Sequence, residues 1–501
     1  MDKVNLRIGF IFSLLALSSL FFSCSDDEDF TSSSSSHLHF ESDTVSFDTV
    51  ISTLGSSTHR FKVFNPNSKG LHITTAELSS GGSSGFRVNI DGHQGPVLHD
   101  LYILGGDSIF IFAEITPAEQ SSESPVYLTD ELVFHLESGI TQKLILEAYI
   151  QDAIFLHSAH IDGNETWSSQ KPYVIYDSLV VGPSGVLTLE KGVSLYFHSG
   201  SYLGVHGQLI CNGTSDSRIT FRGDRTDRIF PYLPYDRLDG NWGGITLYPE
   251  SKNNLFDNVD IHGGFWGIDC PLSTVDEHKY YIQNSIIHNF SSGCGLSATN
   301  CIGQVLNSQI SNSGGDCVRL VGGYHNFVHT TMAHFPLSME KGTALYFTNV
   351  LNDTIYPLEG ANFYNCLITG NTTDEIVGNR LENSDASFNV LFSHSLINIK
   401  LSEDEKVSLA SMFVDCLNET DGSKNWSKNS DGAYDENIIW GKKNFLLIDH
   451  HDCIYDFGLS ESSKARGIGD GKYVEYCPID LKGVSRPTLN PDAGCYQYVS
   501  N

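Results

Sequence analysis

Between positions 218 and 242 of this chain five arginines stand close to a set of aromatic rings. They are Arg218, Arg222, Arg225, Arg228 and Arg237, with Phe230, Tyr232, Tyr235 and Trp242. A guanidinium grips a carboxylate or another oxyanion with two parallel hydrogen bonds, and an aromatic face accepts the apolar face of a sugar. Arg222, Arg225, Arg228, Tyr232, Tyr235, Arg237 and Trp242 are therefore the candidate ligand-binding residues, and an acidic glycan is the ligand they suit. Asp224, Asp227, Asp236 and Asp239 are interleaved with them, so internal ion pairing competes with ligand contact. Trp242-Gly243-Gly244-Ile245 also reads as a packing motif.

Other residues could do chemistry at longer range. Polysaccharide lyases need a base beside the C5 proton and a carboxylate neutraliser, commonly calcium or arginine. Glycosidases need two carboxyl groups ~5–9.5 Å apart. Asp257 or Asp260 could face a carboxylate one repeat away, but nothing marks either over an ordinary solvent-facing acid, so no catalytic residue is assigned. His262 and His288 follow equivalent isoleucines and should stack on one face. That pair reads as exposed histidines, with a weak metal or base site as the alternative. No Cys-x-x-Cys pair is present, so a zinc site is not expected. No metal or cofactor is assigned, and calcium enters only under a lyase reading.

The elements that must position these groups come from a repeat. Phe256-Asp257-Asn258-Val259-Asp260-Ile261 returns at Ile282–Ile287, Val305–Ile310, Phe327–Met332 and Phe363–Ile368, with first residues 26, 23, 22 and 36 apart. Asn stands two after the first residue in four copies. Gly263, Asn289, Asn312 or Gly370 stands two past the final isoleucine. Asn and Gly are the residues that most readily adopt the left-handed backbone. Their recurrence predicts two tight bends per coil, with the asparagine amides bonded from coil to coil. Short apolar strands between such bends describe a right-handed parallel β-helix. Cys294 and Cys317 each lie seven past the register isoleucine, which predicts an inward thiol stack on neighbouring coils or a disulfide.

Composition agrees with an all-β chain that works outside a nucleic-acid context. Sixty acidic residues face thirty basic ones among 501, a formal net charge of −30. Phosphate backbones need a basic surface, so nucleic acid is not an expected partner. Length alone suggests about two to four domains.

Residues 1–24 read as a leader. Lys3 and Arg7 precede an apolar run, Ile8 to Phe22, too short to favour a permanent membrane span. The run ends Leu20-Phe21-Phe22-Ser23-Cys24, which resembles a bacterial lipoprotein signal with Cys24 as the lipidated residue. Residues 25–36, acidic then serine-rich, read as a flexible tether. The acidic cluster behind Cys24 resembles the surface-export signal of Bacteroidetes lipoproteins, which implies an outer-membrane, cell-surface location through the lipid alone. Residues 37–152 carry alternating strands such as Thr44–Val50, Ser108–Phe112 and Gln142–Tyr149, and resemble an immunoglobulin-like sandwich. Residues 153–501 are the β-helix, and the segment from Leu396 to Lys443 loses the period. The phrases Ser463-Lys464-Ala465, Asp480 to Arg486 and Asp492-Ala493-Gly494-Cys495-Tyr496-Gln497 resemble the closing tail of bacterial β-helix proteins, expected to cover the open helix end.

With both ends matched, the chain resembles a right-handed β-helix lipoprotein of Bacteroidetes in the broad pectin-lyase-like superfamily. That resemblance implies a fold more than an activity, since its members include lyases, hydrolases, epimerases and adhesins. The expected function is binding of extracellular glycan or another cell-surface component. Two alternatives accompany it: a lyase or glycoside hydrolase acting on acidic polysaccharide, and a structural or adhesive surface protein.

Overall fold

The repeat phrase stacks in register through the chain. In the computed structural model, which describes residues 29–168, 170–336, 342–372, 374–381, 385–419 and 441–500, Phe256 pairs with Ile282, Ile282 with Val305, Val305 with Phe327, and Phe327 with Phe363. The column continues to Cys211 and Leu189 on one side and to Phe392 and Phe413 on the other. A second column runs Phe221, Ile261, Ile287, Ile310, Met332, Ile368, Ile397. All but the partly exposed Phe413 are buried and belong to one continuous core, against which Phe413 packs. Period-two alternation sends these side chains inward and their neighbours outward.

A representative coil supplies three strands. Asn254–Asp257 joins a ten-stranded sheet, while Val259–His262 and Ile268–Cys270 join an eighteen-stranded one. Pairing within both sheets is parallel. This is a parallel β-helix in an all-β chain. Asn258, Asn284, Asn307 and Asn365 sit at φ of 51°, 53°, 45° and 51°, so the first bend is left-handed as expected. The amides form the expected ladder: Asn307 Nδ2 donates to Asn284 Oδ1 at 2.9 Å, and Asn284 Nδ2 to Asp257 Oδ1 at 3.1 Å. Asp257 is thereby a structural acceptor.

The second bend is left-handed at Gly263, Asn289 and Asn312. Gly370 does not adopt that conformation and supplies space instead, because a Cβ there would meet the buried Glu375 carboxyl. The thiol stack also differs from expectation. Ile287 pairs with Ile310 at a spacing of 23, but Leu296 pairs with Val318 at 22. One residue fewer in the intervening bend sets Cys317 opposite Gly295, and both cysteines are free thiols, Cys294 half-buried.

The chain divides into two compact units. One runs to Gln120 and takes in Pro125–Ile150; the other takes Ser121–Ser124 and everything from Gln151. The first holds two five-stranded antiparallel sheets around its own apolar core. Cys24 and residues 25–28 lie outside the described residues. The described part of the expected tether is held in place: Phe30 bridges to Gly70, and Asp29 pairs with Lys69 at 2.6 Å.

Near its far end the helix adds a further short coil, Phe413–Val414 and Leu417–Asn418, in parallel register with Phe388–Ser393 and Leu396–Ile397. The tail, expected at the helix end, runs along the flank in the described residues, where Arg486 donates to Asn307 Oδ1 at 2.7 Å, Asn365 bonds Asp470, and Cys495 N donates to Thr331. Arg486 is buried, so its charge needs close acceptors, and the Asn ladder provides one. Gln497 accepts the second Arg486 donor at 2.8 Å once its amide oxygen faces the guanidinium.

Candidate functional site: an ionic cleft on the outer face

The residues flanking each register isoleucine point outward and form two columns. One reads Asp260, Ile286, Gln309, Thr331, Leu367, Leu396; the other His262, His288, Ser311, Ala333, Thr369. Along the helix the outer face therefore passes from ionisable to small polar to apolar. The hairpin of Phe445–Asp449 and Ile454–Leu459 packs with the tail on the apolar part, where Phe335, Leu367 and Leu396 meet Phe457, Ala493 and Tyr496. Beyond that cover the face is open, and a cavity of about 490 Å³ lies there. Asp236 and Arg237 come from the 218–242 excursion, Asn289 and Asn312 from the second bend, and Tyr455, Lys482 and Tyr496 from the hairpin and tail.

At the floor, Asp260 Oδ1 lies 2.7 Å from His262 Nδ1 and 3.2 Å from His288 Nε2. The other His262 nitrogen, Nε2, is 3.0 Å from Asp236 Oδ1, and Arg222 holds that same oxygen at 2.7 Å. The two imidazoles stack with centroids 4.9 Å apart, as the repeat predicts. The reading of both as exposed histidines is corrected, because His262 is buried and His288 half-buried.

Burial opposes charge on His262, but the Asp260 carboxylate and hydrogen bonds to Asp236 and Asp260 outweigh it and raise the pKa to about 9. Burial likewise pushes Asp260 up, yet the neighbouring histidines bring it well below the ordinary carboxylate range. Asp236 follows the same pattern: burial is overcome by His262 and Arg222, and its pKa falls. Burial pushes the Tyr455 and Tyr496 phenols up, so both keep their protons. Tyr496 donates to Gln309 at 2.7 Å. Lys482 spans both oxygens of Asp456 at 2.8 and 3.0 Å. Asn312 donates to Asn289 at 3.2 Å, while its own Oδ1 is buried without a hydrogen-bond donor among the described residues.

Of the seven residues singled out from sequence, only Arg237 lines this cavity; its guanidinium donates to the Asp452 carbonyl at 3.1 Å. Arg222 is engaged by Asp236 and lies over the Tyr196 ring. Arg225 forks onto Asp227 with two 2.6 Å bonds and covers Tyr235. Arg228 donates to the Pro231 carbonyl at 3.2 Å. Tyr232 is exposed between Phe230 and His451. Trp242 is fully buried against Phe197 and donates to the His262 carbonyl at 2.8 Å, which removes it as a sugar platform. Asp236, Asn312, Tyr455 and Lys482 went unrecognised. The flanks of each register isoleucine carried the signal for the floor of the site; the hairpin and tail contributions had none.

No family model matches the chain, and no curated protein is similar to it. Among solved structures, the ASH/PapD-like domain 7 of human CEP192 aligns at 10% identity and a TM-score of 0.17, covering 26% of this chain and 96% of that one. A family 123 glycoside hydrolase from Clostridium perfringens, studied for glycolipid glycan hydrolysis, aligns at 9% identity and 0.16, covering 25% of this chain and 26% of its own. Likenesses at this level say nothing about activity.

Proposed function

We propose that this chain is a lipid-anchored protein of the cell surface, a pectin-lyase-like β-helix of the Bacteroidetes lipoprotein kind, that binds extracellular glycan in the outer-face cleft. The observation that supports this reading is the cleft's lining. Paired charges, amides and phenols converge on a cavity of about 490 Å³, within the size range of small-molecule pockets, and share its lining with Ile286, Ile454 and Phe457. A sugar matches such a mixed lining, because its hydroxyls can bond the donors and acceptors they cover while its apolar face meets the apolar side chains. The arginines expected to clamp an acid are largely committed to internal partners, so recognition rests on hydrogen bonding more than on net charge. A hydrolase reading is weaker, since it needs one protonated carboxyl, and Asp236 and Asp260 are both held below the usual range.

The test is gel retardation of the chain from Ser25 onward in neutral and acidic polysaccharides, with unsaturated-product absorbance followed in parallel. Retardation by at least one polymer, reduced in Arg237→Ala and Tyr455→Phe, is expected. Silence across the panel, or retardation unchanged in both variants, overturns the binding reading, and new absorbance replaces it with a lyase. For the anchor, Cys24→Ser should move the full chain from the membrane to the soluble fraction, and protease added to intact cells should remove the wild-type protein.

A further inference from the structure

We propose that Asp260, His262 and His288 form a binding site for a divalent transition-metal ion, open to the cleft. This does not depend on the glycan reading. Register produces the site: Asp260 and His262 are two apart on one strand and share its outer face, and His288 is the in-register partner of His262 on the next coil. The ligand atoms of the three residues all lie within 4.8 Å of one another. Asp260 Oδ1 stands 2.7 and 3.2 Å from the two ring nitrogens. Ligand atoms that share a tetrahedral ion at ~2.0–2.2 Å are roughly 3–3.5 Å apart, so small side-chain adjustments close the set around one ion.

Two further features belong to metal sites more than to a plain ion cluster. His262 presents Nδ1 to the site while Nε2 faces Asp236, which Arg222 fixes at 2.7 Å. A carboxylate behind the non-ligating ring nitrogen is the usual support of a metal-bound histidine, because it sets the tautomer and strengthens the ligand. The remaining side of the triad opens on the cavity, where the buried Asn312 Oδ1 has no donor among the described residues. Three protein ligands with open positions leave room for water or a bound molecule. Two imidazoles and one carboxylate select zinc or a neighbouring first-row metal over calcium and magnesium, which take oxygen ligands. In the sequence the histidine pair offers only a weak metal-site alternative, because two ligands hold an ion poorly and the third, Asp260, joins them through the coil register.

The experiment uses the chain from Ser25 onward after chelator dialysis, titrated with Zn²⁺ and Ca²⁺ by calorimetry and with Co²⁺ by visible absorption. One equivalent of Zn²⁺ and cobalt ligand-field bands are expected, with no comparable calcium binding. His288→Ala, with its folding checked by the melting temperature, should weaken zinc at least 100-fold and abolish the bands. Asp236→Asn should weaken zinc about 10–100-fold through the second ligand shell. Absence of zinc binding, calcium binding as tight as zinc, or full affinity in His288→Ala each overturns the proposal, the last by assigning binding to other surface histidines.

Discussion

One outer sheet face leads two different lives along its length. At Leu367 and Leu396 it is covered by the hairpin and tail and has become a second core. At Asp260, His262 and His288 it is ionic and borders an open cleft, with His262 buried and the other two half-buried. Both halves obey the same coil register, so the difference lies only in the residues that flank each inward isoleucine. A parallel β-helix keeps its interior while its outside is assigned position by position. Apolar flanks are covered by the hairpin and tail; ionisable flanks pair with one another and line a cleft.

Shrinking a side chain in the covered half should have the largest effect. Leu367→Ala should cost about 2–5 kcal/mol in chemical denaturation, since Leu367 is fully buried under the tail. A loss below 1 kcal/mol would mean the tail is a loose cover. Next comes pH. Glu419 is buried beside Thr369 and Asn444, and burial raises its pKa from the ordinary 4.5 to about 7. Its folded form holds the proton longer than the unfolded chain, so stability is full below about pH 4.5 and falls as pH rises towards 7. The loss is about 3 kcal/mol by linkage. Glu419→Gln should remove that part of the wild-type pH dependence, visible as a smaller stability difference between pH 5 and pH 8. If the two proteins lose stability in parallel, Glu419 is charged when folded.

At the boundary, Tyr496→Phe leaves the buried Gln309 oxygen without its donor and should cost about 1–2 kcal/mol. The smallest effect belongs to the open half. Ile286→Ala, in the same column as Leu367 but half-exposed, should cost under about 1 kcal/mol. An equal cost at Ile286 and Leu367 would erase the distinction between the two halves.

Much of the fold was readable because a β-helix repeats its demands. Phe256, Ile282, Val305 and Phe363 meet the same inward slot, and Asn258, Asn284, Asn307 and Asn365 the same left-handed bend, so each copy corroborates the others. The stacked His262–His288 pair was readable for the same reason. Where the period slips or stops the repeat no longer informs: the missing residue before Cys317 and the extended Gly370 are the examples, whereas the ion pairing of Arg222 and Arg225 with Asp236 and Asp227 was among the expected outcomes.

Local repetition determined the helix, its interior columns, its asparagine ladder and the outward face of Asp260, His262 and His288. These depend on neighbours one coil away, and one-coil spacing is written in the chain. Only the tertiary structure decided where the tail lies, that Arg486 buries its charge on Asn307, and that Asp236, Tyr455 and Lys482 close round the histidines. Asn307 and Arg486 are 179 residues apart. No periodic pattern links such positions, because their meeting follows from which outer surfaces remain apolar once the helix has formed.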